Sequence, residues 1–125
     1  MEEDSLVPAS IRILLIDDEV LVRAGTAMML DELGHSVVEA SSGKEGLQRL
    51  ADDDAITVLM TDYNMPDMHG LDVIETAKQL RPDLIAILMT GYSAKDSRFV
   101  DIGVERLEKP FGLDALEQVL KESCK

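Results

Sequence analysis

The stretch Ile56-Thr57-Val58-Leu59-Met60-Thr61-Asp62-Tyr63-Asn64-Met65-Pro66-Asp67-Met68-His69-Gly70 decides how this chain reads. Ile56 to Thr61 is a nearly unbroken apolar run, too short for a stable helix and without polar alternation. Such a run reads as a strand covered on both faces. Asp62 ends it and opens a loop that closes at Gly70. Three further runs are built alike. Ile11-Arg12-Ile13-Leu14-Leu15-Ile16 ends in Asp17-Asp18, Leu84-Ile85-Ala86-Ile87-Leu88-Met89 ends in Thr90, and Val104-Glu105-Arg106-Leu107-Glu108 ends in Lys109-Pro110. Each strand thus finishes on polar residues. In an open α/β sheet, ligands bind at the carboxyl ends of the strands. Three carboxylates, a hydroxyl and an ammonium gathered there suit a divalent cation and a phosphoryl group.

Between these strands the pattern turns helical. A first helix is expected from about Val20 to Leu33, with Leu21, Ala24, Ala27, Met28 and Leu30 apolar and Gly34 ending it. His35–Ala40 reads as a short strand. Ser41 or Ser42 caps a second helix from Lys44 to about Ala51. A third starts near Gly70-Leu71 and closes at Arg81-Pro82. A fourth is short and mostly polar, over Ala94–Ile102, and the last carries Leu113, Leu116, Val119 and Leu120. Five βα units predict a single doubly wound five-stranded parallel sheet, flavodoxin-like, with right-handed crossovers and strand order 2-1-3-4-5. The switch point then lies between strands one and three, with Asp17 and Asp18 beside Asp62. Residues 1–10 read as a flexible acidic tail and residues 11–123 as one domain.

Bulk properties narrow the function. A 125-residue chain that is 46% hydrophobic makes one packed domain. Aromatics are only 3%, so aliphatic residues and Met, including Met28, Met29, Met60 and Met89, are expected to fill the core. Asp and Glu number 25 against 12 Lys and Arg, a net charge of -13 that argues against direct nucleic acid binding. No apolar run approaches the ~18 residues of a membrane span, and no signal peptide is visible. Cys124 is the only cysteine, in keeping with a cytoplasmic location.

Each site residue has an ordinary reading too. Asp17 or Asp18 could cap the first helix, Asp62 could be a loop Asx residue, Thr90 a strand-end residue, and Lys109 solvated. Two successive acids exceed the needs of one cap, however. At ~4 Å two like charges cost about 4 kcal/mol at an effective dielectric near 20. A fold that gathers three carboxylates gives up stability, as functional sites do.

Taken together, Leu15-Ile16-Asp17-Asp18-Glu19, the loop Thr61–Gly70, Met89-Thr90-Gly91 and Lys109-Pro110-Phe111 resemble the receiver domain of two-component response regulators, from Ile11 to about Leu120. Met89-Thr90-Gly91-Tyr92 resembles receivers attached to hybrid histidine kinases. The resemblance implies a phosphorelay phosphoacceptor and not an enzyme acting on other substrates. Asp62 would take a phosphoryl group from the phosphohistidine of a histidine kinase or histidine phosphotransfer domain. It implies Mg²⁺ held by Asp18 and Asp62 directly, by Asp17 largely through water, and by the Asn64 carbonyl. It implies that Lys109 pairs with Asp62 and later with a phosphate oxygen, that Thr90 bonds another and reports phosphorylation to the surface, and that Lys109-Pro110 is cis. An output domain or target protein would lie outside this chain, with no membrane insertion.

The chain departs from the family at three positions. Arg106 stands where many receivers carry Tyr or Phe, which puts the usual inward aromatic swing in doubt. The segment from Thr90 to Lys109 is about one helical turn short. His69 replaces a common Asp, Asn or Gly, a change of little expected effect. Three rival readings fit the residues less well. A flavodoxin-like cofactor site would be repelled by Asp17-Asp18-Glu19, and a haloacid-dehalogenase-like phosphatase would want an Asp at Glu19. A receiver-like interaction module independent of phosphorylation has all the key residues against it.

Overall fold

A computed structural model describes residues 10–91 and 104–124. The expected tail, the short fourth helix and Tyr92 lie outside the described residues. Five strands, β1 (Arg12–Ile16), β2 (Ser36–Ala40), β3 (Val58–Asp62), β4 (Ile85–Thr90) and β5 (Glu105–Glu108), form one parallel sheet in the order β2-β1-β3-β4-β5. Helices α1 (Val20–Glu32), α2 (Gly43–Asp52) and α3 (Gly70–Leu80) and a C-terminal helix (Leu113–Ser123) cover its faces.

The unbroken apolar runs follow from this layering. Successive side chains of a strand point to opposite faces. Leu14, Ile16, Leu59 and Leu88 pack with Leu50 of α2 and Leu71, Ile74 and Ala77 of α3. Ile13, Leu15, Met60, Ile87 and Met89 pack instead with Leu30 of α1 and Leu116, Val119 and Leu120 of the C-terminal helix. Neither parity faces water, so neither can be polar. The edge strand β5 differs, with Leu107 buried and Glu105, Arg106 and Glu108 exposed.

Some boundaries shift. The central strand begins at Val58, two residues later than its apolar run suggests, and includes Asp62 as its last residue. Ile56 is nevertheless buried, because it packs into the core ahead of the strand. Gly34 ends α1 as expected. It adopts φ 92°, and its N–H and that of His35 bond to the carbonyls of Asp31 and Leu30, the paired bonds of a Schellman motif. Ser42 is the cap of α2, accepting from the Glu45 N–H at 3.1 Å, while Glu45 accepts from the Ser41 N–H at 2.7 Å.

The inward face of α1 corrects the sequence reading. Thr26 and Leu30 are buried, whereas Leu21 is 86% and Met28 72% exposed. Met60 and Met89 are core residues and Met29 packs against the cluster that holds them, but Met28 is exposed. Leu21, Gly25 and Met28 share the outer stripe of the helix. Because α1 is apolar on most sides, its periodicity does not select a face.

Candidate functional site

Parallel strands bring their carboxyl ends to one edge of the sheet, and the polar strand-end residues meet there. Asp17 follows β1. Its N–H continues the ladder to the Ala40 carbonyl of β2 at 3.1 Å, and its side chain is fully buried. Asp17 Oδ1 accepts from the Glu19 N–H at 2.9 Å, and Oδ2 accepts from Lys109 Nζ at 3.1 Å. The N-cap of α1 is Glu19, with no side-chain capping bond. Neither Asp17 nor Asp18 is therefore the N-cap of α1.

Asp62, at the end of β3, pairs through Oδ1 with Lys109 Nζ at 3.0 Å. Asp17, Asp18 and Asp62 each bring a carboxylate oxygen within 4.8 Å of the others. Lys109 follows β5. Its N–H donates to the Thr90 carbonyl at 2.7 Å, which ties it to the end of β4, and the Lys109-Pro110 peptide is cis. Thr90 is buried, and the Tyr63 N–H bonds to the neighbouring Met89 carbonyl at 2.9 Å. Asn64 stands two residues beyond Asp62 on the exposed part of the loop.

One ammonium thus pairs with two of the three carboxylates, Asp17 and Asp62. Burial pushes the Asp62 carboxyl up to about 6, with Asp17 and Asp18 adding to the rise and Lys109 opposing it. Burial alone would lower the Lys109 ammonium, but pairing with Asp62 and Asp17 overrides it and raises the group. Lys109 therefore stays charged, and the cluster keeps an excess of negative charge that a cation would offset.

The donor set fits a hard divalent ion. Mg²⁺ takes oxygen ligands at about 2.1 Å, so opposite ligands stand about 4.2 Å apart. A carboxylate cluster within 4.8 Å needs only a small closure, or an intervening water, to hold it. Both Asp17 oxygens already accept hydrogen bonds, which leaves Asp18 and Asp62 as the better direct ligands.

Sequence reasoning missed several residues that hold this arrangement. Asp67 accepts from the N–H groups of Gly43 and Lys44 at 3.1 and 3.0 Å, stapling the loop after Asp62 to the start of α2. His69 does more than expected. Its Nδ1 accepts from the Leu71 N–H at 3.2 Å as the cap of α3, and its ring meets Tyr63 edge-on with centroids 4.3 Å apart. Arg23 donates to the Asp17 carbonyl at 2.7 Å. Only His69 had a local signal, since it immediately precedes the helix that begins at Gly70. The partners of Asp67 and Arg23 come from other elements.

Beside Lys109 a groove of about 470 Å³ opens between α1 and the segment after β5, lined by Leu21, Val22, Gly25, Met29, Pro110 and Phe111. Among the described residues no helix is long and apolar enough to cross a membrane.

Comparison with known proteins agrees with this geometry. The chain is 30% identical over 127 residues to sensor kinase CckA of Brucella abortus, covering 98% of this chain but only 13% of that protein. It is 32% identical over 117 residues to a chemotaxis protein CheY homolog of Campylobacter jejuni, covering 89% of this chain and 90% of that protein. The structure of response regulator protein TrrA from Thermotoga maritima, in complex with Mg²⁺-BeF, superposes with a TM-score of 0.81 at 29% identity, covering 90% of this chain and 97% of that one. The model of the response regulator receiver domain matches residues 13–121, and this chain belongs to that family.

Proposed function

We propose that Asp62 is the phosphoacceptor of this receiver domain and that Mg²⁺ is its cofactor. One observation carries the reading: the strand-end carboxylate of Asp62 lies 3.0 Å from Lys109 and within 4.8 Å of the Asp17 and Asp18 carboxylates. With its carboxyl at about 6, Asp62 is ionised at neutral pH and nucleophilic. A carboxylate oxygen attacks the phosphorus of a phosphohistidine. The new O–P bond makes an acyl phosphate, the P–N bond breaks, and its electron pair leaves on the imidazole nitrogen, which then takes up a proton. The transferring group spreads charge over its oxygens, so positioning and countercharge dominate. Lys109 moves its charge from Asp62 to a phosphate oxygen, and the Thr90 hydroxyl donates to another. When bound by Asp18 and Asp62, by Asp17 through water and by the Asn64 carbonyl, Mg²⁺ supplies the remaining positive charge. The Mg²⁺-BeF complex of the TrrA relative supports this assignment.

The donor is a histidine kinase or histidine phosphotransfer domain, as the kinase relative suggests. The chain acts on its own Asp62 and is not an enzyme for other substrates. A net charge of -13 and the absence of a spanning helix among the described residues support a cytoplasmic role without direct nucleic acid contact. Any output is exercised on a target or domain beyond this chain. Incubation with acetyl phosphate and Mg²⁺, followed by intact mass spectrometry, tests the reading. One added phosphoryl group is expected on wild type and none on Asp62→Asn or in EDTA. Equal labelling of Asp62→Asn would overturn the assignment, and no labelling of wild type would favour a phosphorylation-independent module.

A further inference from the structure

The phosphoryl chemistry leaves one nearby cation unused. Arg23 of α1 has a largely covered side chain, 16% exposed. Its Nη1 donates to the Asp17 backbone carbonyl at 2.7 Å and its Nε to Glu39 Oε1 at 3.0 Å. The guanidinium thus joins α1, the end of β1 and the edge strand β2. Its hydrogen bonds go to a carbonyl and to Glu39, not to the carboxylates of the acid cluster. A device for neutralising Asp17 or Asp18 would be expected to reach their carboxylates.

The carbonyl it holds belongs to the peptide that links Asp17 to Asp18. That peptide is planar, so fixing its oxygen fixes the direction in which the chain continues into Asp18. The other side of Asp17 is already held by the Ala40 carbonyl and the Glu19 N–H. Asp18 is the acid of the cluster for which these contacts leave the most freedom.

We propose that Arg23 is a positioning residue for the cation site. By clamping the Asp17–Asp18 peptide against Glu39, it presents the Asp18 carboxylate as a ligand before the ion arrives. Groups behind the ligands commonly tune metal affinity in this way. The inference rests on the reading that the Asp17, Asp18 and Asp62 cluster takes Mg²⁺.

The sign of one measurement separates positioning from charge. A nearby positive charge repels Mg²⁺, so removing it would tighten binding if charge were all that Arg23 supplied. If Arg23 positions Asp18, its removal weakens binding. Mg²⁺ alone is titrated by calorimetry into wild type, Arg23→Met and Arg23→Lys, with thermal melts in EDTA to verify folding. Arg23→Met is expected to bind Mg²⁺ about tenfold more weakly. Arg23→Lys should fall between, because an ammonium is a point charge and cannot hold two acceptors as a planar fork does. Unchanged or tighter Mg²⁺ binding by Arg23→Met would overturn the proposal. Should Arg23→Met fail to fold, Arg23→Lys decides alone: it keeps the charge, so weaker binding supports positioning and equal binding refutes it. A wild-type chain that takes up no Mg²⁺ would instead refute the metal reading itself, and this inference with it.

Discussion

Gly70 packs its backbone against the Asp62 carbonyl so closely that a β-carbon at position 70 would collide with that oxygen and crowd the Leu88 side chain. The Gly70 N–H also bonds to the Tyr63 carbonyl at 2.7 Å. The start of α3 is thereby pressed onto the end of the strand that carries the proposed phosphoacceptor. Gly70→Ala should destabilise the fold by about 1–3 kcal/mol, the usual range for overpacking. It should also slow phosphorylation by displacing Asp62. Urea denaturation in EDTA and labelling by acetyl phosphate measure the two effects. A variant as stable as wild type would show that the loop yields without cost.

Asp62 links stability to pH. Its folded carboxyl lies at about 6, above the ordinary 3.8. The folded state therefore binds the proton more tightly than the unfolded state. Stability is then greatest when Asp62 is protonated and falls as pH rises from about 4 through about 6. Without metal, Asp62→Asn should be more stable than wild type by about 1 kcal/mol or more at pH 7. The difference should shrink as pH falls towards 4. Asp18→Asn should gain similarly in EDTA, and saturating Mg²⁺ should erode both gains. Denaturation curves across pH, with EDTA or Mg²⁺, provide the check, and an Asp62→Asn protein weaker than wild type in EDTA at pH 7 would contradict it.

Much of this was legible in the sequence because the strands are covered on both faces. Leu14 and Leu15 serve opposite layers, so the run shows no alternation and announces a central parallel strand. Asp62, Thr90 and Lys109 were legible because a strand end fixes where a residue lies. The face of α1 was not, since Leu21 and Met28 are as apolar as Leu30 and only the tertiary contacts choose between them. Asp67, Arg23 and Arg81 were hidden for a different reason. Each acts on backbone groups outside its own element, and backbone groups leave no mark in a sequence.

Arg81 is the strongest such case. Its guanidinium donates to the carbonyls of Leu50, Asp53 and Ile56 at 2.5, 3.0 and 3.0 Å, joining the end of α3 to the turn between α2 and β3. Arg81→Met should cost about 2–3 kcal/mol, because three charge-assisted bonds to backbone carbonyls are lost. The site lies at the opposite ends of the strands, so Mg²⁺ affinity should not change. Denaturation and calorimetry on the same sample would separate the two, and an altered affinity would count against so local a role.

Asp67 offers a second pH handle of opposite sign. Burial would raise its carboxyl, but the N–H groups of Lys44 and Gly43 outweigh this and hold it below the ordinary value. Its contribution is present above 3.8 and is lost as pH falls through the lowered folded value. Asp67→Ala should cost about 1 kcal/mol near neutrality, as lost helix caps do. The cost should disappear in strong acid, and urea titrations at pH 7 and below pH 3 provide the comparison.

Arg106 is exposed on β5, opposite Leu88 in the register. Burying a guanidinium without a partner is costly, so it should remain at the surface in both signalling states. Arg106→Ala should leave phosphorylation by acetyl phosphate unchanged. Structures with and without beryllofluoride would show whether residue 106 moves, and an inward swing would refute this.

The same strand limits how the molecule can associate. An edge strand exposes unpaired N–H and C=O groups and invites another chain to extend the sheet. β5 is only four residues long and exposes Glu105, Arg106 and Glu108. A second strand laid along it would have to bring its own side chains against that row of charges. Growth by edge-to-edge β-addition is thereby discouraged at β5.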